Sequence, residues 1–165
     1  MQYLVWSKAR MTFGVLFALV LLFSCEPQTI QTGKVVKIKD GDSIVVLDSL
    51  NQQIEIRLAY IDAPEYGQDF SKVSKKYLSD LIFDKQVIYK PVQAPDRYGR
   101  IIGEVRLADG TIVNQKMVQD GMAWHYVQYS GGRTYEKLEQ EARSKYLGIW
   151  GFAEPIAPWE YRKMN

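Results

Sequence analysis

Three charged side chains lie within nine positions of one another, between Arg57 and Glu65. Arg57 supplies a guanidinium group, and Asp62 and Glu65 supply two carboxylates. Carboxylates can hold a hard metal ion or a water molecule, and a guanidinium group can hold a phosphate through two parallel hydrogen bonds. This combination suits the cleavage of a phosphodiester bond. The alternative interpretation is an ion pair at the end of a strand, with no catalytic role.

The residues around this group predict how it is presented. Apolar and polar residues alternate from Ile54 to Tyr60, which is typical of a strand that carries Arg57. Pro64 removes a backbone donor and predicts the end of that strand. Asp62 and Glu65 are therefore expected at a strand end, where a loop can direct side chains into a cleft.

Two further motifs flank this segment. Lys39-Asp40-Gly41-Asp42-Ser43 precedes it, and Asp96-Arg97-Tyr98-Gly99-Arg100 follows it. Asp-Gly turns are common in hairpins, so each motif alone is weak. The ordered set of three, at about these separations, resembles the signature of the staphylococcal nuclease (thermonuclease-like) family. The resemblance extends from about Thr32 to Trp150.

The resemblance implies an α+β, mainly β fold, namely a five-stranded OB-type barrel that carries three helices. Periodicity and turn signals agree with five short strands and interspersed helices. The predicted strands are residues 32–39, 43–47, 53–61, 86–92 and 101–107, and the predicted helices are residues 70–83, 112–120 and 135–146.

The resemblance also implies a calcium site. Asp42 and Asp62 match the two carboxylate ligands of the family, and the backbone carbonyl of Ala63 matches a third ligand. Calcium prefers hard oxygen donors and tolerates a partly hydrated shell, and two carboxylates give only modest affinity. Asp40 is expected to shape the turn rather than to bind the metal.

The remaining family positions concern the substrate. Glu65 matches the residue that orients or deprotonates the attacking water, and Arg57 and Arg100 match the two arginines that hold the phosphate. Tyr98 and Tyr129 match aromatic residues near the terminal phosphate or a nucleobase, where stacking needs no sequence readout. Plain packing is the alternative for both tyrosines.

The first 24 residues are predicted to be a signal segment. Lys8 and Arg10 precede an apolar stretch of 13 residues, Met11 to Phe23, which is too short for a membrane span of roughly 20 residues. The stretch ends at Leu22-Phe23-Ser24-Cys25, which resembles the cleavage box of a bacterial lipoprotein, so Cys25 is predicted to be lipidated. A simple N-terminal membrane anchor is the alternative. Both place the domain outside the cytoplasm, and a fully secreted product is a lesser alternative.

Charge excludes a strongly basic nucleic-acid-binding protein. All 19 acidic residues follow Cys25, whereas two of the 21 basic residues precede it, so the chain after Cys25 has a formal net charge of zero. Weak, salt-sensitive binding of a polyanion is expected, which suits a degradative enzyme.

The predicted organisation is a signal segment (1–24), a tether (25–31), the barrel domain (32–152) and a C-terminal tail (153–165) to which no chemistry is assigned. The predicted function is a monomeric, calcium-dependent nuclease that cleaves DNA and RNA, preferably as single strands, to 3′-phosphate products. The alternatives are a non-catalytic barrel that binds nucleic acid or a protein at the cell envelope, and a metal-dependent hydrolase of another phosphodiester. The presence of all five acidic and arginine positions favours the enzyme.

Overall fold

The computed structural model describes residues 31–129 and 132–164, with only the backbone of Tyr129. The predictions for the signal segment, for Cys25 and for most of the tether therefore lie outside the described residues. No helix within the described ranges is long and apolar enough to cross a membrane.

Four strands precede the first helix, and the remaining strands and helices are interspersed. The strands are β1 (Gln31–Ile38), β2 (Ser43–Leu47), β3 (Gln53–Leu58), β4 (Ile61–Asp62), β5 (Gln86–Pro91), β6 (Ile101–Arg106) and β7 (Trp124–His125). The helices are α1 (Ser71–Ile82), α2 (Val113–Gln119), α3 (Gly132–Ser144) and α4 (Pro158–Met164), with 3₁₀ turns at Val127–Tyr129 and Gly148–Gly151.

Five of the strands close into a barrel in the order β1–β2–β3–β6–β5. All neighbours are antiparallel except β3 and β6, which pair in parallel with Arg57 opposite Ile102. β2 and β3 pair with Ser43 opposite Arg57, so the start of β2 and the end of β3 lie side by side. The predicted five-stranded OB-type barrel is confirmed.

Two details of the prediction are wrong. The third strand ends at Leu58 rather than at residue 61, because Tyr60 adopts a left-handed conformation (φ 69°) that breaks the extended chain. The chain then forms β4, which pairs with β7 outside the barrel, with Asp62 opposite Trp124. The helix count is also wrong, since the tail forms α4 in addition to the three predicted helices.

Two apolar clusters hold this architecture together. The larger cluster fills the interior of the barrel and extends to α1 and α2, which pack against it. Leu78 and Ile82 of α1 and Met117 of α2 are fully buried in this cluster. The smaller cluster contains Trp124, Ala142, Ile149, Trp150 and Ala157. Ala157 immediately precedes α4, so the smaller cluster attaches the C-terminal tail to the barrel domain.

Candidate active site

A cleft of about 520 Å³ opens where β2 and β3 meet the loop of residues 92–100. Its lining includes seven of the predicted site residues: Asp42, Arg57, Asp62, Ala63, Glu65, Tyr98 and Arg100. The fold therefore brings together three motifs that are separated by up to 58 positions in the chain.

The turn before β2 places Asp42 at the base of the cleft. A Cβ atom on Gly41 would lie 2.0 Å from the Ser74 side chain and 2.7 Å from Cβ of Ala63, so only glycine fits here. The backbone N–H of Ala63 donates to Asp42 Oδ2 at 2.9 Å. The Asp40–Ser43 turn is thereby held against the segment that follows β4.

Arg57 joins the two predicted metal ligands. Its Nη2 donates to Asp62 Oδ1 at 2.8 Å, and its Nη1 lies 2.7 Å from Asp42 Oδ2. The second contact is an ion pair without hydrogen-bond alignment, so this buried Nη1 has no hydrogen-bond partner among the described residues. Burial opposes the charge of Arg57, but Asp42 and Asp62 outweigh that effect and raise its pKa.

Burial and mutual repulsion raise the pKa values of two carboxylates around Arg57. Burial and the charge of Asp42 raise the pKa of Asp40 to about 6. Burial is also the main cause that raises the pKa of Asp62, with a further contribution from Asp42, against the opposing hydrogen bonds from Arg162. A divalent cation would relieve this repulsion.

The donor chemistry of the site fits calcium, although the carboxylates are few. In the described ranges, no three His, Cys, Asp or Glu side chains are arranged to hold a metal among themselves. Asp42 and Asp62 nevertheless converge on a single guanidinium group, and the amide of Ala63 contacts Asp42. Two carboxylates are hard oxygen donors that suit a partly hydrated calcium ion, and the carbonyl of Ala63 stays the predicted third ligand.

Arg100 is held in the cleft by a turn that Asp96 organises. Asp96 Oδ1 accepts the backbone N–H groups of Tyr98 (2.9 Å) and Arg100 (3.0 Å), and Asp96 Oδ2 accepts from Arg100 Nε (2.8 Å). Gly99 completes the turn at φ 79°, a conformation that favours glycine. The guanidinium group of Arg100 also reaches Ser43 Oγ at 3.4 Å, which places it beside Asp42.

Of the two predicted aromatic residues, Tyr98 and Tyr129, the structure describes only the side chain of Tyr98. Tyr98 is 72% exposed at the mouth of the cleft, with the guanidinium groups of Arg97 and Arg100 at 5.2 and 5.6 Å from its ring centre. Such a ring is available to a nucleobase or a sugar. The side chain of Tyr129 lies outside the described part of the chain.

Glu65 lies at the rim of the cleft, where a residue absent from the sequence prediction contacts it. Arg162 of α4 donates through Nη1 to Glu65 Oε1, and through Nη2 to Asp62 Oδ2 at 2.8 Å. These hydrogen bonds, chiefly the one to Asp62, raise the pKa of Arg162. The tail therefore contributes a fourth arginine to the cleft, beside Arg57, Arg97 and Arg100, although the sequence prediction assigns no chemistry to this segment.

A local signal for α4 exists in the sequence, although it does not reveal the contact. Pro158 occupies the first helical position, Glu160 lies in the first turn, and Arg162 and Lys163 lie in the last. This is the charge order that a helix dipole favours, with proline where its missing N–H is not needed.

Comparisons with known proteins agree with this geometry. The family profile described as "Staphylococcal nuclease homologue" matches residues 55–151. An endonuclease of Escherichia coli is 44% identical over 130 residues, which cover 79% of this chain and 84% of the relative. A micrococcal nuclease of Shigella flexneri is 40% identical over 163 residues, with 92% of both chains covered. An endonuclease of Haemophilus influenzae is 40% identical over 152 residues, which cover 92% of this chain and 84% of the relative. The chain therefore belongs to the staphylococcal nuclease family.

Proposed function

We propose that this member of the family is a calcium-dependent endonuclease that acts outside the cytoplasm. Its expected substrates are DNA and RNA, preferably as single strands, and its expected products carry 3′-phosphate ends. Endonuclease activity follows from the family. The observation that carries the finer proposal is that Arg57 bridges Asp42 and Asp62 in the same cleft as Glu65 and Arg100.

In the proposed site, one set of residues binds the metal and another binds the phosphate. Asp42, Asp62 and the carbonyl of Ala63 would hold calcium, which supplies positive charge next to the phosphate. Arg57 is ion-paired with Asp42 and Asp62, so calcium bound by these two carboxylates would weaken their hold on the guanidinium group and make it available to a phosphate oxygen. Arg100, which Asp96 holds beside Ser43, would supply a second guanidinium group to the phosphate.

Glu65 completes the reaction. Its carboxylate accepts a proton from a water molecule, whose oxygen forms a new bond to phosphorus. The bond from phosphorus to the 5′ oxygen breaks, and that oxygen takes up a proton from solvent. Arg57 and Arg100 stabilise the charge of the five-coordinate transition state, and groups of this kind contribute ~10²–10³ in rate. A positioned base contributes a further ~10²–10⁴.

The test of the calcium proposal is a cleavage assay of the purified full chain in detergent. Single-stranded DNA should be cut in calcium and should remain intact in excess chelator, and added calcium should restore cleavage. The ends should be 3′-phosphates, so terminal transferase should extend the products only after a phosphatase has removed the 3′-phosphate. Full activity in chelator would contradict the calcium assignment.

The location outside the cytoplasm rests on the first 25 residues. Cys25 is the only cysteine of the chain, and acylation there would attach the protein to a membrane at ~0.8 kcal/mol per buried CH₂. Labelled fatty acid should enter the wild type and should not enter Cys25→Ser. A membrane-bound protein that retains its unprocessed N-terminus would contradict lipidation and would favour the simple anchor.

A further inference from the structure

Arg162 contacts both carboxylates that face the rim of the cleft. Nη2 donates to Asp62 Oδ2 at 2.8 Å, and Nη1 is shared between Asp62 Oδ1 at 3.2 Å and Glu65 Oε1. The Asp62 side chain is 1% exposed, whereas those of Arg162 and Glu65 are 41% and 37% exposed. The guanidinium group therefore links a buried carboxylate to a partly exposed one at the rim.

No other ion pair holds Glu65 among the described residues, since its single salt bridge is the one to Arg162. A glutamate has three rotatable bonds, and an unpaired one at the surface samples many rotamers. The planar two-pronged geometry of arginine suits the task of holding it, because Asp62 fixes one side of the guanidinium group.

The segment before α4 is tied to the backbone of Glu65 as well. The buried side chain of Gln68 accepts from the backbone N–H of Glu65 at 2.9 Å and donates to the carbonyl of Ile156 at 2.7 Å. Trp159 stacks on Tyr126 with ring centres 5.5 Å apart. These contacts place α4 against the loop that carries Glu65.

Arg162 also changes the charge of the cleft. The lining contains five carboxylates and four guanidinium groups, a formal net charge of minus one, which would be minus two without Arg162. The carboxylates belong to Asp40, Asp42, Asp62, Glu65 and Asp96, and the guanidinium groups belong to Arg57, Arg97, Arg100 and Arg162. An anionic substrate therefore meets less repulsion when α4 is in place.

We propose that Arg162 is a positioning residue for the nuclease reaction, which holds the Glu65 carboxylate in its working orientation by anchoring it to Asp62. The C-terminal helix is then part of the active site. This role rests on the proposed function of Glu65 as the group that receives the proton from water.

The test compares Arg162→Ala and Arg162→Lys with Lys163→Ala in the full chain. Lys163 is an exposed basic residue of the same helix and does not line the cleft, so it is the matched control. Arg162→Ala should lower kcat by about 10- to 100-fold, as expected for loss of a group that orients an active residue. KM should rise by less than about threefold, because solvent screens the lost charge of this half-exposed side chain. Arg162→Lys should recover part of the rate, and Lys163→Ala should match the wild type.

The decisive arm repeats Arg162→Ala in a Glu65→Gln background. Residues that act as a unit have non-additive effects. Adding Arg162→Ala to Glu65→Gln should therefore change the rate of the Glu65→Gln variant by less than about threefold. A loss as large as in the wild-type background would show that Arg162 acts elsewhere and would overturn the proposal. An unchanged rate for Arg162→Ala alone would overturn it too. So would an Arg162→Ala variant whose only change is a lower concentration of calcium at half-saturation, because Arg162 would then act on the metal site and not on Glu65.

A readout without turnover accompanies the rates. In chelator, Arg162→Ala should lower Tm by about 2–5 °C, because Asp62 loses a partner, and Lys163→Ala should not. All rates are ratios to the wild type at saturating metal. A failure of the calcium proposal therefore appears in the wild type itself, whereas a failure of the Arg162 proposal appears only in the ratios.

Discussion

Replacement of Asn114 by alanine should destabilise the fold far more than an ordinary polar substitution. This fully buried side chain of α2 joins three backbone groups of the barrel. Its Oδ1 accepts from Val105 N at 2.9 Å, and its Nδ2 donates to the carbonyls of Ala59 at 2.9 Å and Gly103 at 3.1 Å. The parallel pairing of β3 and β6 ends at Gly103, and beyond that point the Asn114 side chain provides the hydrogen bonds that a neighbouring strand would otherwise provide.

The expected cost follows from the groups that lose their partners. In Asn114→Ala the N–H of Val105 and the carbonyl of Ala59 become unpaired in the interior. Gly103 retains the bond that its carbonyl accepts from Ala59 N at 2.8 Å. An orphaned buried group costs ~1–3 kcal/mol, so the two together cost about 3–4 kcal/mol. In a domain of this size, that corresponds to a fall in Tm of about 10 °C.

Urea unfolding followed by circular dichroism measures this cost. The midpoint should fall with an unchanged slope, which shows that stability rather than compactness has changed. Gln119→Ala, an exposed amide at the end of the same helix, is the matched control and should stay within about 0.5 kcal/mol of the wild type. A cost below about 1 kcal/mol for Asn114→Ala would refute the reasoning.

Three further predictions concern the site and its surroundings. Asp96→Ala should lower kcat/KM for single-stranded DNA by about 10- to 100-fold, because Arg100 loses the turn that aims it; an unchanged ratio would show that Arg100 is positioned without Asp96. Burial lowers the pKa of His125, so its contribution to stability is present above about pH 6.5 and is lost as pH falls. The raised pKa of Asp40 acts in the opposite direction in both proteins, so the urea midpoint of the wild type should fall relative to that of His125→Gln as pH decreases from about 7 to 5. Half-saturating calcium should be near the millimolar range, and magnesium should bind but support little cleavage; magnesium rates equal to calcium rates would count against the proposed geometry.

The barrel could be predicted because its strands carry strong local signals. Residues 54–58 alternate, and the Asp40–Gly41 turn joins two apolar runs. The resemblance supplied the closed topology, which periodicity alone does not determine. The pairing of β4 with β7 could not be predicted, because strands of two residues show no periodicity. The left-handed conformation of Tyr60 depends on tertiary contacts and has no local sequence signal.

The candidate site could be predicted only in part, for a similar reason. Its members in the three motifs are recognisable by type and spacing, and the structure brings them into one cleft. Arg162 lies 97 positions after Glu65, in a helix of seven residues. Its contact depends on how α4 packs through Ala157 and Trp159, which no local pattern reports.

Cleavage and binding measured side by side for Glu65→Gln test the central claim most directly. The substitution keeps the size of the side chain and removes its charge, while Asp42, Asp62, Arg57 and Arg100 remain. In calcium, the rate of cleavage of single-stranded DNA should fall by on the order of 10²-fold or more. Affinity for the same strand at low salt should change by less than about tenfold. Cleavage by Glu65→Gln at the wild-type rate would contradict the account.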